Sequence, residues 1–144
     1  MSEDYVLGMD AKLYRGAAGA AIGVLTELTN VKDVTVTLEA GEADVTSRAN
    51  AGWRATAATL RECGVEFEMV WKPADAGFVA VRDAYLNGTN LELAVLDQDR
   101  AVSGAQGPKG TFSVTGFTRT EPLEEAIAVA VTAKLVKFDQ WITV

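Results

Sequence analysis

Glu66 and Glu68 are spaced for acid–base chemistry. Residues two apart on a strand share a face, about 7 Å from each other, and paired carboxylates can act as acid and base or as nucleophile. They stand opposite an uninterrupted apolar face of Val65, Phe67, Met69 and Trp71, so a solvated outer face is the favoured account. Cys63 precedes Gly64 in what reads as a turn. The sequence has no histidine, so the thiol lacks its usual activating base, and the commonest metal ligand is missing as well. One cysteine alone makes neither an internal disulfide nor a thiolate zinc cage. Asp97-Gln98-Asp99 opens like a calcium loop, but Ala101 stands at the fifth position and Pro108 at the twelfth, where a bidentate Glu is required. A strand-end turn accounts for it better. The run Gly16 to Gly23 lacks the dinucleotide spacing and the preceding strand and partner acid that go with it. Lys109 lies among Gly104, Gly107 and Gly110 without phosphate-loop spacing or a following helix, which favours a flexible loop. No serine sits in a Gly-x-Ser-x-Gly elbow. No catalytic, cofactor or metal residue is therefore assigned, and no enzyme is expected.

The elements that position these residues have a period of two. Val34, Val36 and Leu38 oppose Thr35, Thr37 and Glu39, a half-buried strand. The same alternation recurs from Val65 to Lys72, Leu91 to Val95 and Phe112 to Thr115. In a fifth run, Ile127, Val129, Val131, Ala133 and Leu135 oppose Ala126, Ala128, Ala130, Thr132 and Lys134. Met9–Tyr14 and Trp53–Arg61 are weaker strand candidates. Many short strands with turn residues between them predict a sandwich or barrel. Residues 75–87 break the pattern: Phe78, Val79, Val81, Tyr85 and Leu86 fall at helical spacing, with Asp75 to cap the start and Asn87-Gly88 to end it. Arg82 lies inside the apolar arc. A snorkelling side chain is favoured there, with an ion pair to a carboxylate of the same or a neighbouring subunit as the alternative. Loops are expected at 16–23, 40–52 and 98–110, and the last is long for a compact domain.

The sequence is 144 residues long, one domain's worth, and 49% hydrophobic, so a sizeable core is affordable. The formal net charge of −7 argues against nucleic-acid phosphates and anionic membranes as partners. Met1-Ser2-Glu3-Asp4 is acidic where a signal peptide is basic. The apolar run Ala17–Leu28 contains Gly19, Gly23 and Glu27 and falls short of the ~20 residues that span a bilayer. The expectation is a soluble chain made in a cytoplasm. What stays unexplained is surplus apolar strand surface. The fifth run has an apolar face and an alanine face, where alternation normally leaves a polar side to water. Either the single helix or another subunit can cover the alanines.

The order of segments resembles that of the tail tube proteins of long-tailed phages and prophage-like particles. The match runs from Ala11-Lys12-Leu13-Tyr14 through Asn30-Val31-Lys32-Asp33-Val34-Thr35 and Glu42-Ala43-Asp44-Val45-Thr46-Ser47-Arg48 to a Gly-Trp. It continues with Met69-Val70-Trp71, the helix Phe78-x-Ala80-x-x-Asp83-Ala84-Tyr85-x-Asn87-Gly88, and a late strand after Glu121-Pro122-Leu123-Glu124-Glu125-Ala126. The resemblance implies a mainly β fold: a two-sheet β-barrel-like sandwich with one flanking helix, a single domain over residues 1–144 with a flexible N-terminus. It implies hexameric rings that stack into a hollow conduit through which DNA passes without specific binding. It places the protein in a virion tail, assembled in the host cytoplasm. The implied partners are other copies of the chain, a tape measure protein, a tail terminator and baseplate or tail-tip proteins, with a sheath as an optional addition and no membrane. Within that scheme the subunit-interface candidates are Glu42, Asp44, Val45, Thr46, Arg48, Trp53, Arg82, Asp99, Lys109, Ala126, Ala128 and Ala130. Lumen-facing candidates are Glu39, Glu66, Glu68 and Glu92, whose charge would repel DNA. Type VI secretion tube proteins share the architecture and are one alternative. A β-sandwich ligand-binding or adhesion module using Trp53, Trp71 and Trp141 is another, although core or interface packing suits those residues better.

Overall fold

The computed structural model describes residues 6–144; the acidic N-terminal segment read above lies outside them. The chain forms β1 (Lys12–Ala17), β2 (Thr26–Glu27), β3 (Val31–Asp44), β4 (Thr56–Val70), α1 (Ala76–Asn87), β5 (Asn90–Leu96), β6 (Gln106–Thr120) and β7 (Ala128–Thr143). The mainly β architecture with one helix is the expected one. All strands pair antiparallel in one seven-stranded sheet, ordered β2-β1-β5-β6-β7-β4-β3, which is not closed. The layers of the expected sandwich are thus continuous through hydrogen bonds. Leu13 of β1 shares a core with Val65 and Phe67 of β4, so the sheet curls over its own interior. Bulges supply the bending: the register shifts between Val31 and Val34 and between Ala40 and Glu42 on β3, and at three places between β6 and β7.

The helix closes the open side of this core. Asp75 Oδ2 accepts from Phe78 N at 3.0 Å, satisfying a first-turn donor. Gly88 ends the helix at φ 67°, a left-handed conformation that suits glycine. Gly77, Phe78, Val81 and Ala84 form the buried stripe. Phe78 meets Trp71 edge-on at 4.8 Å between ring centroids, and burying it contributes about 2–3 kcal/mol. Gly77 allows the close fit, since a Cβ there would lie 2.5 Å from Leu28 Cδ2.

β5 is buried on both faces. Leu91 and Leu93 join the main core, while Ala94 and Leu96 join a second cluster with Tyr14, Leu25 and Ile142. The glycine–alanine segment expected as a loop folds back over that second cluster, with Ala20 and Ile22 packed against it.

Three expectations about loops and turns are corrected. β3 runs on to Asp44 and β4 begins at Thr56, so the 40–52 region is mostly a projecting hairpin arm with its tip at 45–55. The weak candidate Trp53–Arg61 and the strong one from Val65 are one strand. Likewise β6 starts at Gln106, and the expected 98–110 loop shrinks to 97–105. The glycines there serve close approach: a Cβ on Gly107 would lie 1.6 Å from the Val95 carbonyl oxygen. Cys63-Gly64 is no turn but the middle of β4, paired with Leu38 and Thr37. The Cys63 thiol is buried, and burial raises its pKa, the opposite of activation.

Candidate functional site

Register assembles a one-sided acidic surface. Opposite residues in an antiparallel pair share a face. Glu39 faces Glu62, Thr37 faces Gly64 and Thr35 faces Glu66 across β3 and β4. Across β4 and β7, Lys134 faces Gly64, Thr132 faces Glu66 and Ala130 faces Glu68. Glu39, Glu62, Glu66 and Glu68 therefore share the face opposite Val65, Phe67 and Met69, which belong to the core. Lys134 lines a recess with Glu39 and Glu62, and Lys32 pairs with Glu68 at 3.7 Å in exposed surroundings, a contact of little weight. Directly opposed like charges such as Glu39 and Glu62 weaken a strand pair. A turn at Cys63-Gly64 would separate Glu62 from this face; on the continuous strand β4 it keeps step with Glu66 and Glu68.

Two of the alanine candidates share a surface with Glu39, Glu66 and Glu68. Ala128 and Ala130 lie opposite Val70 and Glu68, on the acidic face. Ala126 is exposed in the 121–127 connection, outside β7.

The arm carries Glu42 and Asp44 at the end of its stem and Val45, Thr46, Arg48 and Trp53 at its tip. Its backbone is locally braced. Asp44 Oδ1 accepts from Thr46 N at 2.9 Å, and Thr46 Oγ1 accepts from Ala55 N at 2.8 Å. Asn50 Oδ1 accepts from Ser47 N at 2.6 Å, closing a capping box over a single 3-10 turn. The hydrogen bonds from Thr46, side chain first and backbone second, hold the Asp44 carboxyl below its ordinary pKa. Trp53 is 79% exposed on this braced turn, and Leu60 on the arm's stem is 83% exposed.

Two site candidates lie inside the subunit and are corrected. Glu92 is 0% and Lys109 3% exposed, so neither faces a lumen or a neighbour. Lys109 Nζ donates to Glu92 Oε2 at 2.5 Å and to Asp139 Oδ2 at 2.8 Å. Glu92 Oε1 also accepts from Thr111 Oγ1 and from Gly19 N, both at 2.9 Å. Alternation made Glu92 look like an outer residue, but the 18–25 segment covers that face. Burial alone pulls the Lys109 ammonium's pKa down; the carboxylates of Asp139 and Glu92 outweigh it, and the net direction is up. Asp139, beside Glu92 and Lys109, is held below the ordinary carboxylate value.

Arg82 pairs with its neighbour Asp83 at 3.1 Å, an ion pair within the same chain. Asp99 Oδ1 accepts from Ala101 N at 2.9 Å and Asp97 Oδ1 from Gln106 N at 3.0 Å, so these carboxylates brace a turn as expected. Arg100, unremarked in the sequence, donates to the carbonyls of Ile22 and Leu25 and lies over the Tyr14 ring. Trp53, Trp71 and Trp141 do not converge. Trp71 packs on Phe78, Trp53 is on the arm tip, and Trp141 borders an apolar groove of about 610 Å³ with Leu38, Cys63, Leu135 and Phe138. Among the described residues no group of three or more His, Cys, Asp or Glu is placed to hold a metal ion, and no helix is long and apolar enough to cross a membrane.

No protein-family model and no curated protein matches the sequence. Solved structures do. The SPP1 tail tube superposes with a TM-score of 0.72 at 18% identity, covering 94% of this chain and 80% of that one. The tail of an empty gene transfer agent particle, computed by helical refinement with C6 symmetry, gives 0.72 at 19% identity, covering 96% and 98%. The baseplate of the anti-feeding prophage gives 0.62 at 6% identity, covering 100% and 97%. With its open seven-stranded antiparallel sheet and single flanking helix, the chain has the phage tail tube fold.

Proposed function

We propose that this chain is the structural subunit of a phage-type or prophage-like tail tube. Copies close into rings, six to a ring as the C6 symmetry of the gene transfer agent tail suggests, and rings stack into a hollow conduit for DNA. The observation that carries this reading is the acidic face of Glu39, Glu62, Glu66 and Glu68 on an open sheet. A sheet that is not closed leaves β2 and β3 as edges, and joining edges between copies removes the hazard of unpaired strands. Turned toward a bore, the carboxylates repel phosphates and let DNA slide without being held. Ala128, Ala130 and Thr132 would then line the bore between them. The work is mechanical and has no catalytic step. Tape measure, terminator and baseplate or tail-tip proteins belong to the same proposal as partners, and the virion tail as location.

Light scattering with electron microscopy on the concentrated protein tests this. Rings or tubes are expected, and a strictly monomeric species under all conditions contradicts the reading.

A further inference from the structure

Lys109, Glu92 and Asp139 form a buried ion cluster, with side chains 4%, 0% and 20% exposed. The other ion pairs among the described residues join side chains at least 32% exposed. Lys109 Nζ lies 2.5 Å from Glu92 Oε2 and 2.8 Å from Asp139 Oδ2. The Asp139 carboxyl is within hydrogen-bonding reach of Glu92 as well, so each of the three groups touches the other two. As a brace alone this arrangement is costly. Desolvation works against a buried ion pair, and two carboxylates against one ammonium leave a negative charge in excess.

Three adjacent strands supply the cluster. Glu92 on β5 pairs with Thr111, and Ala94 pairs with Lys109 on β6, so Glu92, Lys109 and Thr111 share a face of the sheet. Asp139 reaches that face through a bulge. Lys109 pairs with Gln140 and Gly110 with Phe138, which leaves Asp139 as the extra residue of β7. A bulge re-aims a side chain, here toward the lysine. Tyr14, Ala94 and Leu96 of the second apolar cluster lie on the same side. The 18–25 segment covers it, with Gly19 N donating to Glu92.

A primary amine and two carboxyls held in contact and largely shielded from water are the parts of an amide condensation. We propose that Lys109 and Asp139 condense into an intramolecular isopeptide bond, with Glu92 carrying the protons. The step needs no outside reagent. Glu92 takes a proton from the Lys109 ammonium and passes it to the Asp139 carboxylate. The freed Nζ lone pair attacks Asp139 Cγ. Glu92 then moves a second proton from Nζ to the departing oxygen, the bond from Cγ to that oxygen breaks, and water leaves. Glu92 ends as it began, and the reaction runs once per chain. Contact between amine and acyl carbon replaces a bimolecular encounter and is equivalent to a concentration of roughly 10⁵ M or more when the alignment is good. The charged pair is the resting state, since Lys109 titrates above and Asp139 below its ordinary value. The minority form with the proton transferred carries the reaction, so condensation is slow and follows folding, and the freshly folded chain titrates as an ion pair. The bond closes 30 residues of chain into a loop and ties β7 to β6 at that point.

Intact-mass measurement on the full chain, held folded at neutral pH and sampled over days, tests this. The parent is expected to lose the mass of one water. Its tryptic digest is expected to contain a branched peptide joining Lys109 to Asp139, with no cleavage after Lys109. Glu92→Gln keeps the shape of the side chain and is expected to slow the loss at least about a hundredfold. Lys109→Arg keeps the charge, but a guanidinium does not give up its proton, so this variant is expected to stay at full mass. The parent held unfolded in urea is expected to do the same. Circular dichroism checks that each variant is folded, and if Glu92→Gln is not, the parent and Lys109→Arg still decide. A folded parent that stays at full mass overturns the proposal and leaves the cluster an ion-paired brace. A lost water without the branched peptide, as from a succinimide at Asp139, overturns it too. A folded Glu92→Gln chain that condenses as fast as the parent overturns the role given to Glu92. None of these outcomes bears on the tube reading, from which the inference is independent.

Discussion

Glu92 shows what a residue's neighbours in space do to its role. Its carboxylate accepts from Lys109, Thr111 and Gly19 with no exposure to water. Removing the counter-charge with Lys109→Met leaves Glu92 and Asp139 unpaired in a poorly solvated place. The expected loss is about 3–5 kcal/mol, read as a fall in the urea unfolding midpoint. The same cluster sets a pH signature. Asp139 titrates lower in the folded chain than in the unfolded one, so the unfolded state takes up the proton first as pH falls. Its contribution is complete above about pH 4 and is lost below that, through the folded pKa. Lys109 titrates higher when folded, so its contribution is present below about pH 10 and fades above it. Unfolding followed across pH is expected to show an acid limb that Asp139→Asn diminishes. Nothing in the residues flanking Glu92 reveals this cluster, because the segment that buries it lies more than seventy positions away, at Gly19. Glu66 and Glu68, by contrast, were legible, since the apolar face behind them is contiguous in sequence.

At the scale of elements, legibility followed contrast. The helix declared itself through Asp75, the apolar spacing and Gly88, and Asp75→Ala is expected to cost about 1 kcal/mol in thermal unfolding by removing the acceptor for Phe78 N. Strands half-buried on one side were plain from alternation. The stem of the arm was not, because Ala40, Gly41, Glu42 and Asp44 are exposed on the strand and need no apolar partner. Gly107 and Gly110 looked like loop residues for a related reason: their purpose is the absence of a side chain beside another strand. Gly107→Ala drives a methyl into the Val95 carbonyl, and a loss of more than about 2 kcal/mol, or failure to fold, is expected. Replacing residues 43–57 with a tight turn is expected to leave the thermal midpoint of the body nearly unchanged, because the removed arm touches little of the core. The same deletion should abolish tubes in micrographs; persistent tubes would show that the arm is dispensable.

The whole molecule is an open sheet curled around a core, with one outer face acidic. The fold was legible down to its helix and most of its strands. The continuity of the sheet was not, since strand order depends on which distant segments pair. The net charge of −7 is of the sign that repels nucleic-acid phosphates. If the acidic face lines a bore, replacing Glu39, Glu62, Glu66 and Glu68 with glutamine should leave tubes intact while making them retain DNA at low salt, measured by co-sedimentation. Retention should fall as salt rises. The central claim is that copies of this chain build a hollow tube with that face inward. Cryo-electron microscopy of particles formed by the concentrated protein tests it most directly. The account predicts stacked rings around an open bore, with Glu66 and Glu68 on its inner wall; a solid or absent particle, or a wall that turns those carboxylates outward, would contradict it.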